Sequence, residues 1–301
     1  MEIRLKKIML ARHYGFCMGV KRAIKIAEET GNTTDKGPVN VISEIVHNDS
    51  VVQKLAGEGV GTVAKVEGAS VGTVIVSAHG QPPATFDTAK KRGLNIVDAT
   101  CPLVINIHNI VKKLVNKDYH IIHFGDLHHD ETRGVVGHIP EGRVDVIRTI
   151  DELRGLKPNG RKYALTSQTT AGVGDFEEIS NEAKRLFPNL EVFNTICNAT
   201  TQRQTAVMEL APDVEMVLVV GSKSSANSNR LKTISESVYG KAYLINFSTD
   251  FKDEWLDGIE TVGITAGAST PDFLVEDVIN RLVELSGGKA EVIRPEKKKR
   301  R

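Results

Sequence analysis

The residues best suited to chemistry are three widely separated cysteines: Cys17 in "HYGFCMGVKRAI", Cys101 in "VDATCPLV" and Cys197 in "NTICNATTQRQ". No pair has the close spacing of a zinc knuckle or a redox dithiol, and an odd number of thiols makes no disulfide framework, which predicts a reducing cytosol. Each follows a strand-like run and precedes a helix-like one, and the proline after Cys101 suits the first position of a helix with Cys101 as its cap. A thiol so placed faces backbone N–H groups and the positive end of a helix dipole, a setting that favours thiolate, the form that ligates metal. Taken singly, each cysteine could be a small apolar filler. Three recurrences argue instead for one shared site where the carboxyl ends of parallel strands converge. Zinc with three cysteines and an open position, and an iron-sulfur cluster lacking a fourth protein ligand, are both consistent with this pattern.

Polar residues end other apolar runs in the same way. His47 closes "SEIVHNDS" and His79 closes "VIVSAHGQ". His129 and Glu131 lie in "GDLHHDETRG", read as a Gly-bounded polar loop that could bring a proton donor and an anion ligand to one pocket. In "VLVVGSKSSANSNRLKTI" a strand-like run is followed by Gly, several Ser and Asn, and then a helix pattern. Small residues there let backbone N–H groups approach phosphate oxygens, while hydroxyls and amides add donors. "TSQTTAG" and "TAGASTP" place Thr169, Thr170 and Ser269 at equivalent transitions, as hydroxyl ligands or ordinary caps. No Walker lysine pattern or dinucleotide glycine fingerprint is present, which argues against an ATP or NAD site.

The elements that must position these groups alternate. "KKIMLAR", "PVNVIS", "GTVIVSAHG", "YHIIHFG", "KYALTSQ", "EMVLVVGS" and "ETVGITAG" read as buried strands, separated by helical patterns such as "VKRAIKIAEET", "LVINIHNIVKKLVNK" and "DFLVEDVINRLVELSGG". Alternation implies an α/β fold with parallel sheets and helices on their faces. The cysteine intervals each approach one small α/β domain, which predicts three pseudo-repeated segments, 1–101, 102–196 and 197–301. The chain has 301 residues, 26% charged and 40% hydrophobic, with a formal net charge of +1, so bulk electrostatics give no nucleic-acid footprint. The terminal "EKKKRR" is the one basic run; an RNA-binding role for it is disfavoured by the neutral remainder. No apolar run approaches the roughly 20 residues of a membrane span, and "MEIRLKKIMLAR" is too short for a secretory core. The expectation is a cytoplasmic protein without membrane or nucleic-acid partners.

"GFCMGVKRAI", "EIVHN", "SAHG", "DATCPLV", "SQTT", "TICNATTQRQ", "GSKSSANSNRL" and "GAST" occur in one order along the chain. In that order they resemble the 4-hydroxy-3-methylbut-2-enyl diphosphate reductases, from about Cys17 through Ser269 into the last helix. The resemblance implies three α/β domains around a central [4Fe-4S] cluster held by Cys17, Cys101 and Cys197, with one open iron that meets the substrate oxygen. It implies that His47, His79, His129, Ser225, Asn227 and Ser269 bind the diphosphate, that Glu131 supplies protons, and that Thr169 positions the substrate hydroxyl and relays them. The reaction implied is reductive dehydroxylation of a prenyl diphosphate to isopentenyl and dimethylallyl diphosphates, the last step of the non-mevalonate isoprenoid route. The electron donor would be a protein such as ferredoxin or flavodoxin. A three-cysteine zinc hydrolase is the competing enzyme reading, weakened by the lack of close Cys pairs.

Three departures from the family pattern stand out. Ala226 replaces a frequent second serine beside Ser225, which removes one hydroxyl from the expected diphosphate contacts. Asp130 occupies the middle of a motif usually His-Pro-Glu, which frees the backbone next to Glu131. "HYGFCMGV" replaces a proline-arginine lead-in and a small residue after the cysteine, with altered packing expected and unaltered ligation.

Overall fold

The computed structural model describes residues 3–210 and 214–295, so the basic run 296–301 lies outside the described residues. The chain opens with β1 (Lys7–Leu10) and α1 (Met18–Thr33). A first sheet follows, made of β2 (Val39–Ile42), β3 (Val60–Val63), β4 (Thr73–Val76) and β5 (Asn95–Asp98), with helices α2 (Asp49–Gly57) and α3 (Pro83–Lys91). Helix α4 (Pro102–Asn116) leads to β6 (Tyr119–Phe124), β7 (Val144–Ile147), β8 (Lys162–Ser167) and β9 (Leu190–Val192), with α5 (Asp130–Val136), α6 (Ile150–Gly155) and α7 (Val173–Leu186). Helix α8 (Asn198–Leu210) leads to β10 (Met216–Val220), β11 (Ala242–Ile245), β12 (Thr261–Ala266) and β13 (Glu291–Ile293), with α9 (Ala226–Tyr239) and α10 (Asp272–Leu285).

The three sheets share one strand order: β3-β2-β4-β5, β7-β6-β8-β9 and β11-β10-β12-β1-β13. All ten strand pairings are parallel. The expected segment 1–101 differs from the sheets at one strand. β1 does not join the first sheet; it pairs with β12, Ile8 opposite Val262, and with β13, Ile8 opposite Val292. The reason is that the repeat is cyclic: β5, β9 and β1 fill the same place in their sheets, and the chain begins inside the third repeat. By packing, the chain divides into two compact units, one of Met18–Cys197 and the other of the chain before and after it.

Within Met18–Cys197 the first sheet buries Ile42, Val74 and Val76 against Ala89 and Leu94. The second sheet is covered on both faces, because successive strand residues point to opposite sides. Ile122 and Leu165 pack with Phe176 and Ile179 of α7, while Ile121 and Ala164 pack with Ile107 and Val111 of α4. In the other unit Leu218, Val220 and Ile264 pack on Val275 and Val278 of α10, and Val217 and Val219 pack on Ala206 and Val207 of α8. Such two-sided burial makes these central strands continuous apolar runs and leaves the chemistry to their carboxyl ends.

Candidate active site

In Met18–Cys197 three imidazoles meet. His47 follows β2, His79 follows β4 and His129 follows β6, each at the carboxyl end of its strand. The rings of His47 and His79 stack with centroids 4.3 Å apart, and His129 lies edge-on to both at 5.1 and 5.4 Å. Burial and the neighbouring imidazoles hold His79 well below the usual histidine range, and burial pushes His129 down to about 4. Each ring offers a nitrogen within 4.8 Å of the others, a spacing a metal ion could use. At His129 the hydrogen bonding favours an anion instead. Nδ1 of His129 accepts the Glu131 N–H at 3.2 Å, so the neutral ring carries its proton on Nε2, which is then a donor with no lone pair for a metal. Nδ1 of His47 bonds Glu44 Oε2 at 2.9 Å; with Nδ1–H donating, the carboxylate fixes the ring's orientation.

The same bond explains the local fold. The polar loop expected at "GDLHHDETRG" is a loop only to His129, which is the N-cap of α5. Asp130 takes the first helical position, where the missing proline would have stood, and pairs with Arg133. Glu131 is thereby fixed in the first turn, 2% exposed. The Thr169 N–H donates to Glu131 Oε1 at 2.5 Å and the Thr169 hydroxyl to Oε2 at 2.6 Å. Burial raises the Glu131 carboxyl to about 7, against the lowering effect of those two bonds. A buried acid poised near neutrality, hydrogen-bonded to a hydroxyl, can hold or give up a proton at physiological pH.

In the other unit Ser225 is the N-cap of α9, its hydroxyl accepting the Ser228 N–H at 3.3 Å. Asn227 is 3% exposed, and neither its amide nitrogen nor its amide oxygen meets a partner among the described residues. Ser269 follows β12 and is buried. Ala226 leaves the first helical position without a hydroxyl. A buried, uncompensated amide at a helix N-terminus beside buried hydroxyls fits an incoming anion.

The site residues fall in nine loops, three by three. The loop after the first strand of each repeat carries His47, His129 with Glu131, or Ser225 with Asn227; the loop after the third carries His79, Thr169 or Ser269; the loop after the fourth carries Cys101, Cys197 or Cys17. One hydrogen bond recurs in all three sheets. The Cys101 N–H donates to Ala78 C=O at 3.0 Å, the Cys197 N–H to Thr169 C=O at 3.0 Å, and the Cys17 N–H to Ala268 C=O at 3.1 Å. Each acceptor is Thr169 itself or the residue before His79 or Ser269, so every cysteine loop is stitched to a loop bearing an expected substrate contact. Helices α1, α4 and α8 begin at the residue after each cysteine, and all three thiols are partly exposed and outside any disulfide. Cysteine sulfur is the donor that an iron-sulfur cluster takes. The sequence reading overlooked Glu44, although its place three residues before His47 was a signal. It also overlooked Arg22 and Arg203, which look like solvated helix charges.

A model of the LytB protein family matches residues 8–283. The chain belongs to the LytB family. Similar LytB-type proteins include the 4-hydroxy-3-methylbut-2-enyl diphosphate reductase of Aquifex aeolicus, 36% identical over 93% of this chain and 97% of the relative. That of Tolumonas auensis is 40% identical over 95% of this chain and 94% of the relative. Among solved structures, the E-1-hydroxy-2-methyl-but-2-enyl-4-diphosphate reductase from Plasmodium falciparum superposes with a TM-score of 0.92 at 31% identity, covering 98% of this chain and 94% of that one. A second LytB-type structure, described as the terminal enzyme of the non-mevalonate pathway, is 36% identical with a TM-score of 0.65, covering 93% of this chain and 100% of that one.

Proposed function

We propose that the chain reduces (E)-4-hydroxy-3-methylbut-2-enyl diphosphate to isopentenyl and dimethylallyl diphosphates, the last step of the non-mevalonate isoprenoid pathway. The C–O bond of the allylic hydroxyl breaks, two electrons and two protons enter, and water leaves. Cys17, Cys101 and Cys197 would hold a [4Fe-4S] cluster with one open iron, which when bound supplies the electrons. The donor upstream is a ferredoxin or flavodoxin, and the setting is the cytoplasm; among the described residues no helix is long and apolar enough to cross a membrane. The repeats are bounded near 101 and 196: Cys101 closes the first, Cys197 stands at the end of the second, and Cys17 follows β1, which belongs with the third.

The diphosphate is bound by His47, His79, His129, Ser225, Asn227 and Ser269. Donors fixed before the ligand arrives need little reorganisation, and charge-assisted hydrogen bonds to phosphate oxygens are the strong ones. His129 offers Nε2–H because its Nδ1 is already committed to the Glu131 N–H. Proton delivery belongs to Glu131 and Thr169. While the carboxylate is ionised, the Thr169 hydroxyl donates to Oε2; once Glu131 is protonated, Oε2–H can point at Oγ1 and the hydroxyl can turn its own proton toward the substrate oxygen.

The observation that carries this reading is the buried Glu131–Thr169 pair, held near neutral pKa inside a chain that the LytB family matches over residues 8–283. The test is turnover of the substrate by anaerobically reconstituted protein with a chemical reductant, the two alkenyl diphosphates being quantified. Glu131→Gln is expected to keep iron and substrate binding while turnover falls on the order of 100-fold or more. Absence of both products from iron-loaded wild-type protein would remove the activity; normal turnover by the variant would remove the role of Glu131.

A further inference from the structure

Two arginines outside the expected site hold the backbone that leads into two of the cysteines. Arg203, in α8, is 5% exposed. One terminal nitrogen donates to the Ala199 carbonyl at 2.8 Å, in the first turn of the same helix, and the other donates to the carbonyl of Gly15. Gly15 precedes Cys17 by two residues and has φ 71°; a Cβ there would stand 2.9 Å from Asp272 Oδ1. That path is one glycine takes readily and other residues do not. The short turn into Cys17 is therefore tied at both ends, at the Gly15 carbonyl by a guanidinium and at the Cys17 N–H by the Ala268 carbonyl.

Arg22, in α1, repeats the device in Met18–Cys197. Its Nη1 donates to the Thr100 carbonyl at 3.1 Å, while the Cys101 N–H donates to Ala78 C=O at 3.0 Å. Those are the two polar ends of one peptide group, the one joining Thr100 to Cys101. The turn into Cys197 is held differently, by the Asn194 side chain accepting the Ile196 N–H at 3.1 Å. Both arginines also lie on helices that begin at a cysteine, α1 after Cys17 and α8 after Cys197.

We propose that Arg203 and Arg22 are positioning residues for the metal centre, fixing the turns that present Cys17 and Cys101 so that the thiolates are set before metal arrives. This rests on reading the three cysteines as cluster ligands. The guanidinium suits the task because it stays charged and its planar fork reaches two acceptors in fixed directions, as Arg203 does. Burying a charge is costly for folding, and apolar replacements of buried ionic groups are often neutral for stability. The placement at ligand turns accounts for that cost. Supports behind metal ligands typically govern metal retention by about 10- to 100-fold.

The test compares wild type with Arg203→Met, Arg203→Lys and Arg22→Met, each reconstituted with iron and sulfide without oxygen. Read out are iron and acid-labile sulfide per chain, the rate of iron loss to a chelator, the EPR line shape of the reduced protein, and the melting of the metal-free chain. Both Met variants are expected to lose iron about tenfold faster or more, with an altered line shape and little change in metal-free melting. Arg203→Lys, which keeps the charge but reaches one carbonyl at most, should fall between. Unchanged release and line shape in both Met variants would overturn the inference, as would a change confined to metal-free melting. Should Arg203→Met fail to fold, the half-buried Arg22 carries the comparison alone. Failure of the wild type to take up iron would strike the cluster reading itself, a different result from equal behaviour of loaded proteins.

Discussion

Asn227 is buried at the N-terminus of α9 with neither end of its amide bonded among the described residues. A buried polar group left in that state costs on the order of 1–3 kcal/mol, and a diphosphate oxygen accepting from Nδ2 would recover it. Asn227→Ala should therefore weaken substrate binding by roughly 5- to 150-fold while the ligand-free protein melts no lower than wild type. Calorimetric titration with substrate and a thermal scan check both halves, and unchanged affinity would take Asn227 out of the site. The places of the cysteines, the three histidines and the Thr and Ser positions were legible because each closes an apolar run. Glu131 was legible as a type but not in its setting: with His129 as cap, the stretch after it is a helix, and no proline or apolar period announces one. Arg22 and Arg203 were not legible because what distinguishes them is a distant carbonyl, 78 and 188 residues away in the chain.

What the elements contribute is close approach. Helix α9 meets the ends of β10 and β12 so tightly that a Cβ on Gly267 would lie 2.1 Å from Ser228 Oγ and one on Gly221 2.3 Å from it. Ser228 is fully buried and its hydroxyl has no partner among the described residues, so it can be removed at little cost. Gly267→Ala should destabilise the protein by about 1–3 kcal/mol through overpacking and shift the Ser225–Asn227 turn. Adding Ser228→Ala, which leaves only Cβ at 3.3 Å, should restore more than half of that loss. Denaturant melts of the two single variants and the double check this; strict additivity would refute the packing account. The strands divide by the same logic of neighbours. All seven central strands were legible, since two-sided burial writes them as predominantly apolar runs, as in β4 and β10. The six edge strands β3, β5, β7, β9, β11 and β13 were not, because one flank meets solvent and admits Asp, Asn, Glu or Gly, as in "VDVI" and "NIVD".

The formal net charge is +1 at pH 7, so acid acts on this chain through the groups that take up protons as the pH falls. His79, His108, His123, His129 and His138 are all held below the usual histidine range, first by burial, and all five lie in Met18–Cys197. An imidazole whose folded pKa is depressed binds fewer protons folded than unfolded, so stability falls as pH drops from 6.5 toward the folded value, about 3 for His108 and about 4 for His123. Glu131 works oppositely: its carboxyl is raised to about 7, and stability falls as pH rises from 4.5 toward that value. Each group contributes about 1.4 kcal/mol per pH unit inside its window, so the buried His108 and His123 together outweigh Glu131 between pH 4.5 and 6.5. Against a total of about 5–15 kcal/mol, that slope is expected to weaken the Met18–Cys197 unit first as the pH falls, since the other unit contains none of these groups. Hydrogen exchange followed by mass spectrometry from pH 7 to pH 4 should show protection lost first in peptides of 18–197. His123→Gln, which keeps an acceptor for the Thr166 hydroxyl, should flatten the decline by about one proton's share, or roughly 1.4 kcal/mol per pH unit. Simultaneous opening of both units, or an unchanged slope in that variant, would show that the imidazoles do not govern the acid limit of this fold.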